Sequence, residues 1–357
     1  MNNITKLLLT ITSCVFCIAC TNNTGKDGLK QTKDSVSISD SVTTKSDELP
    51  SGKAETALRE FAFIANNKYI ILSSSPDSAW VKGAPVLQQA MDNGIYSATM
   101  DVKAEALPQV YAGLLNKEFK VCGDKGVVLN AKIKSFKLLA AVIPHFGQVQ
   151  AWNGEMDAPA ATDKQKAMDI WKSGARYLVA EFEADKQSGK FYFAVPADKT
   201  RPVIFSSADI PEVKKKIIDL AAETKEYKTA QKDFLKNSEN KNGNWWASEE
   251  SSETFSFFEP DGGQNYAVLI HTGGNACGDN FYAEKFSIWT IAKDAAPTLT
   301  YMINGHDKVI LAADIDGDKI PEFIIDDDFG NRSLLKNTAG KWTKTYTWNI
   351  PYLDSPC

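Results

Sequence analysis

The chain has 357 residues and a formal net charge of −5 at neutral pH, because 45 Asp and Glu outnumber 40 Lys and Arg. Nucleic-acid-binding proteins carry clustered basic surfaces, so this mild acidity argues against a nucleic-acid partner. Hydrophobic residues make up 43% of the chain, and a chain of this length can bury the core of one large domain or two ordinary ones.

The first twenty residues have the composition of an export signal. Lys6 precedes an apolar stretch from Leu7 to Ala19, which runs through small residues into Cys20. A charged start, an apolar core of about 7–15 residues and a small-residue cut site are typical of a signal peptide. A spanning helix would need about 20 apolar residues, so this stretch is too short to cross a membrane.

The junction Ile18-Ala19-Cys20 resembles a bacterial lipobox, in which the peptide is cut just before a cysteine that then carries lipid. The resemblance implies that residues 1–19 are a lipoprotein signal peptide and that Cys20 is lipidated. Residues 20–53 are polar and have too few apolar side chains to fold, so we predict a lipid-anchored disordered tether. The expected location is the bacterial cell envelope, at the outer membrane. The alternative is an ordinary secretory peptide in which Cys20 is incidental.

Three cysteines remain after Cys20, and they allow one disulfide and one free thiol. Cys277 and Cys357 lie in the same C-terminal region, whereas Cys122 lies far from both in the sequence. We predict a Cys277–Cys357 disulfide. The mature chain has no CxxC pair, so the sequence gives no support to a redox-active pair or a cysteine zinc site.

Residues 54–237 contain both helical and strand patterns, which predicts an α+β domain. Apolar residues at helical spacing predict a helix over 54–66, and strand patterns follow from 69 to 152. A helix is predicted over 162–173, and a hairpin is predicted from 176–184 and 190–195. Apolar residues spaced alternately four and three apart predict one long helix over 210–237.

Residues 244–357 are strand-like almost throughout, after a polar boundary at 237–244. The predicted strands are 254–258, 265–271, 281–291, 298–303, 308–313, 321–326, 332–336 and 341–348. Short strands at this spacing are typical of antiparallel sandwiches and barrels. The predicted fold class is therefore α+β, with an N-terminal α+β domain followed by an all-β antiparallel sandwich- or barrel-like domain.

The stretch from Asp314 to Glu322 is the clearest candidate site. Carboxylates at its first, third, fifth and ninth positions can converge on one hard cation, and calcium takes six to eight oxygen ligands. The candidate ligands are the side chains of Asp314, Asp316, Asp318 and Glu322 and the backbone carbonyl of Ile320. An EF-hand is not indicated, since Lys319 and Ile325 stand where that motif needs Gly and Glu.

This stretch resembles the calcium loop of FG-GAP or VCBS-type β repeats, in which an acidic loop joins two strands. Ile310-Leu311-Ala312 and Phe323-Ile324-Ile325 would be those strands, and Lys319 replaces a usual Gly. The resemblance covers about 16 residues in a single copy, and it implies a structural calcium ion. The alternative is an acidic β-turn that binds no metal.

Three other groups offer catalytic or binding interpretations. Cys277 with His271 as its base could form a nucleophilic pair, but a glycine-rich loop closed by a disulfide is the favoured interpretation. Glu181 and Glu183 share one strand face, as glycosidase carboxylates could, and so do the carboxylates of any solvated strand. Six tryptophans could form a sugar-binding platform, although such residues are more often core: Trp152, Trp245, Trp246, Trp289, Trp342 and Trp348.

No GxSxG, P-loop, GxGxxG or HExxH pattern stands in the mature sequence, so we assign no catalytic residue. The predicted function is a membrane-anchored envelope lipoprotein that acts as a binding or assembly module. Its partners would be the membrane, through the N-terminal lipid, and an unknown envelope protein or glycan. The alternative is an envelope hydrolase that acts on glycan or peptide.

Overall fold

The chain is mostly β and forms several antiparallel sheets. The computed structural model describes residues 60–88, 94–155, 159–184, 189–238, 242–261, 263–274, 281–305, 307–327 and 330–353. These residues all belong to one compact unit, which spans Leu49–Cys357. The predicted signal peptide, the predicted tether and Cys20 lie outside the described residues.

The strands of the first half of the chain are β1 (Ala62–Ala65), β2 (Tyr69–Ser73), β3 (Val86–Leu87), β4 (Tyr96–Val102), β5 (Glu118–Gly123), β6 (Val128–Pro144), β7 (Ala175–Ala184), β8 (Phe191–Pro196) and β9 (Val203–Phe205). The strands of the second half are β10 (Ser252–Phe258), β11 (Gln264–Gly274), β12 (Tyr282–Ala292), β13 (Thr298–Ile303), β14 (Lys308–Asp314), β15 (Glu322–Asp326), β16 (Arg332–Thr338), β17 (Lys341–Trp348) and β18 (Tyr352–Leu353). All eight strands predicted after residue 244 are confirmed, with ends that differ by a few residues.

The α-helices are α1 (Gln109–Ala112), α2 (Phe146–Asn153), α3 (Asp163–Ser173), α4 (Pro211–Ala222) and α5 (Lys225–Asn237). Helix α3 confirms the helix predicted over 162–173. Thr162 and Gln165 form a capping box at its start, which satisfies backbone N–H groups that have no partner within the helix.

Six strands form an antiparallel ring in the order β6-β5-β8-β1-β2-β7. The ring is closed by the pairing of β7, its last strand, with β6, its first. One hydrophobic cluster takes residues from all six strands and fills the ring. Its members include Ile64, Ile70, Val121, Ile133, Leu178 and Ala194. Successive residues of a strand point to opposite faces, so the neighbours of these residues form the outer face of the ring.

The outer face of the ring packs against the sheet β17-β16-β15-β14-β9. Phe63 and Val179 from the ring share one cluster with Ile324 and Leu334 from that sheet. The other face of the same sheet packs against the sheet β10-β11-β12-β13, through a cluster that includes Phe323. Strand β15 is therefore buried on both faces, which explains its uninterrupted apolar run.

Helices α4 and α5 cover the remaining face of the β10–β13 sheet. Ile217 of α4 and Tyr227 of α5 share a buried cluster with Trp245 and Leu269. The described residues thus form four layers: the ring, the β17-β16-β15-β14-β9 sheet, the β10–β13 sheet, and the pair of helices α4 and α5. The predicted boundary at 237–244 follows α5 directly.

The helix predicted over 54–66 is wrong for residues 62–65, whereas Glu60 is helical. Residues 62–65 form strand β1, and its side chains alternate between two clusters, with Ile64 inside the ring and Phe63 and Ala65 outside. This is a period of two rather than 3.6. A window this short cannot distinguish the two periods from its apolar residues alone.

The hairpin predicted from 176–184 and 190–195 is also wrong. Both strands exist, but β7 pairs with β2 and β6, whereas β8 pairs with β1 and β5. The hairpin of β1 and β2 lies between them. Closeness in sequence favoured a direct pairing, and closure of the ring required a different one.

The single helix predicted over 210–237 is two helices. Thr224 has extended backbone angles and caps α5, where its hydroxyl accepts a hydrogen bond from the N–H of Tyr227 at 3.4 Å. Both helices face one cluster, so the apolar spacing continues across the break. The spacing of the apolar residues indicates that both helices bury the same face. It contains no information about the Thr224 cap that separates them.

Candidate functional site

The acidic loop joins β14 to β15 at the end of their antiparallel pairing. Ala313 pairs with Glu322, so Asp314 and Glu322 stand side by side where the loop begins and ends. Gly317 and Lys319 have left-handed backbone angles, with φ of 85° and 67°. Lys319 therefore occupies a conformation that glycine adopts more readily, which is the position where the resembling repeats have Gly.

Three carboxylates come together in this loop. Asp314, Asp316 and Glu322 each offer an oxygen atom, and these atoms lie within 4.8 Å of one another. Asp314 and Glu322 are buried, with exposed fractions of 7% and 3%, and Asp316 is exposed. Carboxylate oxygens are the ligands that hard cations prefer, so this cluster could hold a metal ion.

Asp318 and Ile320 are joined by a hydrogen bond within the loop. The Ile320 N–H donates to Asp318 Oδ1 at 2.7 Å, and the Ile320 side chain packs against the cluster between the two C-terminal sheets. Asp318 does not belong to the three-carboxylate group. The structure therefore brings together three of the four carboxylates named from the sequence, in an arrangement that is not specific to calcium.

Backbone N–H groups of the loop hold the carboxylates in place. Asp314 Oδ1 accepts from Gly317 at 2.6 Å, and its Oδ2 accepts from Lys319 at 3.1 Å. Glu322 Oε2 accepts from the Ile315 N–H at 2.8 Å. Each carboxylate oxygen has two lone pairs, so these bonds leave capacity for a cation.

Lys336 of β16 extends its ammonium group into the cluster. Its Nζ lies 2.5 Å from Asp316 Oδ2 and 3.6 Å from Glu322 Oε1. Burial alone would raise the pKa of Asp316, but the hydrogen bond and charge of Lys336 lower it below its ordinary value. Lys336 therefore supplies part of the positive charge that a metal ion would supply.

Glu322 is the carboxylate whose pKa is affected most by burial when it is compared with Asp316. Burial raises its pKa to about 7, against the opposing effect of the hydrogen bond from Ile315. A carboxylate with this pKa is only partly ionised at neutral pH. A bound cation would favour its ionised form, so cation binding at this loop would release the proton that Glu322 partly retains.

His271 is fully buried and is held by both ring nitrogens. Its Nδ1 lies 2.9 Å from the Tyr227 hydroxyl, and its Nε2 lies 2.8 Å from Glu253 Oε2. The proposed partner Cys277, like Cys357, lies outside the described residues. The predicted disulfide therefore stays a prediction, and His271 is engaged in contacts with other residues.

Glu181 and Glu183 are each paired with a different cation. Glu181 contacts Lys68 at 2.7 Å, and Glu183 contacts Lys134 at 2.6 Å. Burial would raise the pKa of Glu181, but Lys68 and other neighbours lower it, and Lys134 lowers the pKa of Glu183. A glycosidase general acid needs a raised pKa, so the shift has the wrong direction for that role.

Five of the six tryptophans of the suggested platform and the described cysteine, Cys122, are in the core. Among the six tryptophans of the suggested platform, only Trp246 is more than 5% exposed, because the other five are buried. Cys122 has a free, buried thiol, and burial raises its pKa to about 12. A thiol with this pKa is almost wholly protonated at neutral pH and is a poor nucleophile.

No protein-family model matches this chain. A search of curated proteins returns no match. A search of solved structures also returns none. Within the residues that the structure describes, no helix is long and apolar enough to cross a membrane.

Two features of the candidate sites were missed from the sequence. Lys336 reaches the acidic loop because β16 pairs with β15, and only this pairing places it beside Glu322. Glu253 reaches His271 because these residues are cross-strand partners on β10 and β11. To predict either contact from the sequence, one would need to know the register of the paired strands, which local sequence does not specify.

Proposed function

We propose that this chain is a lipid-anchored envelope protein that acts as a binding or assembly module, with a structural calcium ion in the β14–β15 loop. One observation carries the choice of a non-enzymatic role. The acid–base candidates named from the sequence and present among the described residues are all engaged in structural contacts. His271 is buried between two partners, and Glu181 and Glu183 are held by separate lysines.

The membrane anchor rests on the sequence around Cys20. Two acyl chains give stable attachment where one chain is marginal. In the full-length protein, Cys20→Ala should abolish lipid labelling and move the protein from the membrane fraction to the soluble fraction. Cys122→Ala is the matched control and should leave both unchanged. Retained lipid labelling in Cys20→Ala would refute the anchor.

The structural calcium ion is supported by the donor set of the loop. Asp314 and Glu322 offer buried oxygen ligands, and Asp316 closes the group. A ligand that binds only the folded state stabilises it. Calcium added to chelator-treated mature protein should therefore raise the melting temperature, and magnesium should raise it less, since magnesium prefers a smaller octahedral shell and keeps its waters.

Variants of two aspartates separate binding at this loop from nonspecific binding. Asp314→Asn removes a buried ligand charge and should abolish most of the calcium shift. Asp261→Asn changes an exposed aspartate outside the loop and should leave the shift intact. A melting temperature that does not respond to millimolar calcium would leave the acidic turn without metal as the better account.

The choice of a binding role over hydrolysis can be tested directly. Purified protein incubated with envelope glycan and with peptide substrates should give no turnover above the level of a boiled sample. Turnover that is lost in Glu181→Gln and kept in Glu183→Gln would replace the binding role with the hydrolase alternative. Equal turnover in both variants and the parent protein would point to a contaminating enzyme.

We also propose the finer division of the fold, with an N-terminal α+β domain and a C-terminal all-β domain, in which β9, α4 and α5 precede the boundary but pack on the C-terminal sheets. The closed ring is built from strands between 62 and 196, and the two sheets after it are built mainly from strands between 252 and 348. Limited proteolysis should cut first within 238–243 if the division is right. First cleavage inside either region would contradict it.

A further inference from the structure

A row of polar side chains crosses the β10–β13 sheet beneath helices α4 and α5. Glu253, His271 and Lys285 are cross-strand neighbours on β10, β11 and β12. The Lys285 Nζ donates to Asn304 Oδ1 at 2.6 Å. His271 is fully buried and Lys285 is only 7% exposed. Polar groups buried this deeply are costly unless they are hydrogen-bonded.

The partners of His271 assign its proton. Burial would raise the pKa of Glu253, but its contacts with Lys214 and His271 lower it, so this carboxylate is ionised at neutral pH and can only accept. The His271 Nε2–H therefore donates to Glu253, and Nδ1 accepts from the Tyr227 O–H. The neutral ring is the form that fits this environment.

The same contacts connect both helices to the sheet. Lys214 of α4 binds Glu253 Oε1 at 2.5 Å, and Tyr227 of α5 binds His271. The backbone carbonyl of Tyr227 accepts from the indole N–H of Trp245 at 3.3 Å. Lys214 and Tyr227 thus attach the two helices to the row, and His271 lies at its centre.

We propose that this polar row is an acid-sensitive latch, in which protonation of His271 weakens the docking of α5 on the sheet. A proton added to Nδ1 removes the acceptor of the Tyr227 hydroxyl. That hydroxyl must then turn its hydrogen away and accept instead, inside a buried aromatic cluster. The hydrogen bond between Tyr227 and His271 then reverses its direction, and the buried hydroxyl hydrogen loses its acceptor. This polar attachment of α5 to the row is therefore weakened.

The elements packed around His271 contribute both charged and uncharged groups. Glu253 of β10 favours the protonated ring, whereas Lys214 of α4 disfavours it. Lys285 of β12 is the other cross-strand neighbour, and Glu226 of α5 acts on Lys285. The segment Trp245–Ala247 contributes uncharged indole rings.

The direction of the effect follows from burial, which lowers the pKa of His271 below its ordinary 6.5 although Glu253 opposes this. The unfolded chain takes up the proton near the ordinary value, while the folded chain resists until a lower pH. Stability from the neutral ring is therefore fully present above the ordinary value. It is lost as the pH falls from there towards the lowered value.

Hydrogen exchange measured by mass spectrometry on the mature protein tests the latch. Exchange rates in 225–237, corrected for intrinsic rates, should rise about tenfold between about pH 7.5 and about pH 5.5, the range in which histidine changes charge. The segment 134–142 in β6 should change much less. The absence of an acid-dependent rise in 225–237 would overturn the proposal.

Two variants identify the group responsible. His271→Gln keeps hydrogen-bonding groups but takes up no proton, so its exchange should not rise in acid. Tyr227→Phe has no hydroxyl hydrogen to displace, so its exchange should be faster at neutral pH and rise less in acid. An equal rise in the parent protein and both variants would refute the role of His271.

If neither variant folds, the proposal can still be tested by a measurement on the parent protein. The chain has three histidines, so the ring resonances can be followed individually by NMR. The titration midpoint of His271 should coincide with the midpoint of the exchange transition in 225–237. Midpoints that differ by more than about one pH unit, which is about 1.4 kcal/mol of differential interaction, would overturn the proposal.

Discussion

Lys336 shows how one side chain can determine the properties of the acidic loop. Its ammonium group contacts Asp316 and faces Glu322, two of the three carboxylates that a metal ion would use. Burial alone would lower the pKa of Lys336, but these carboxylates raise it. The lysine and a bound cation would therefore compete for the same negative charges.

The variant Lys336→Met tests this competition. Removal of the ammonium should raise the affinity of the loop for calcium about tenfold, which corresponds to about 1.4 kcal/mol. Isothermal titration with chelator-treated protein measures this change. Lys341→Met alters an exposed lysine at the start of β17 and should leave the affinity unchanged. A weaker affinity in Lys336→Met would show that the lysine supports the site.

Helices α4 and α5 show how a cap divides an otherwise continuous helical pattern. The Thr224 hydroxyl donates to the Ala221 carbonyl at 2.7 Å and accepts from the Tyr227 N–H. The residue thus serves the end of one helix and the start of the next. The turn lets both helices present their apolar side chains to the same sheet.

The variant Thr224→Ala should lower the free energy of unfolding by about 1 kcal/mol, because the first turn of α5 loses its side-chain cap. Chemical denaturation followed by circular dichroism measures the change. Thr229→Ala is the matched control, since its exposed hydroxyl bonds to the Lys225 carbonyl within the helix. It should be neutral or slightly stabilising, and equal losses in both variants would contradict the capping role.

The described molecule is held together by layers that share clusters. Arg332 lies at one such junction, where it forms a buried bidentate ion pair with Asp326 at 2.7 and 2.8 Å. Its guanidinium also lies over the rings of Tyr192 from the closed ring and Trp348 from β17. One side chain therefore links the ring to the sheet packed on it.

The variant Arg332→Met should cost about 3–5 kcal/mol, because it leaves the buried Asp326 carboxylate unpaired. Since the clusters connect the layers, we expect the loss in one transition that is common to all probes. Differential scanning calorimetry checks both the size of the change and the number of transitions.

An exposed ion pair provides the control for this prediction. Lys228 and Glu223 lie 2.7 Å apart at the surface of the helix pair, so Lys228→Met should cost less than about 1 kcal/mol. A loss in Arg332→Met no larger than this would show that the buried pair contributes little. Two separated transitions would indicate that the ring and the sheets unfold independently.

Local sequence was sufficient for the elements whose signals are local. Alternating side chains and turn residues predicted the strands between 252 and 348, and local helix signals predicted a helix over 162–173, which is α3. The acidic spacing predicted a loop that brings carboxylates together, and three of the four do meet. Each of these signals depends on residues within about ten positions of one another, where chain connectivity restricts the geometry.

The pairing of strands was decided only by the tertiary structure. The ring places β1 and β2 between β7 and β8, and the register of β16 places Lys336 beside Glu322. These contacts join residues that are far apart in the sequence, or residues that meet only because two strands pair in one particular register. Their energy depends on which hydrophobic faces can be buried together, and this is a property of the assembled layers rather than of any one segment.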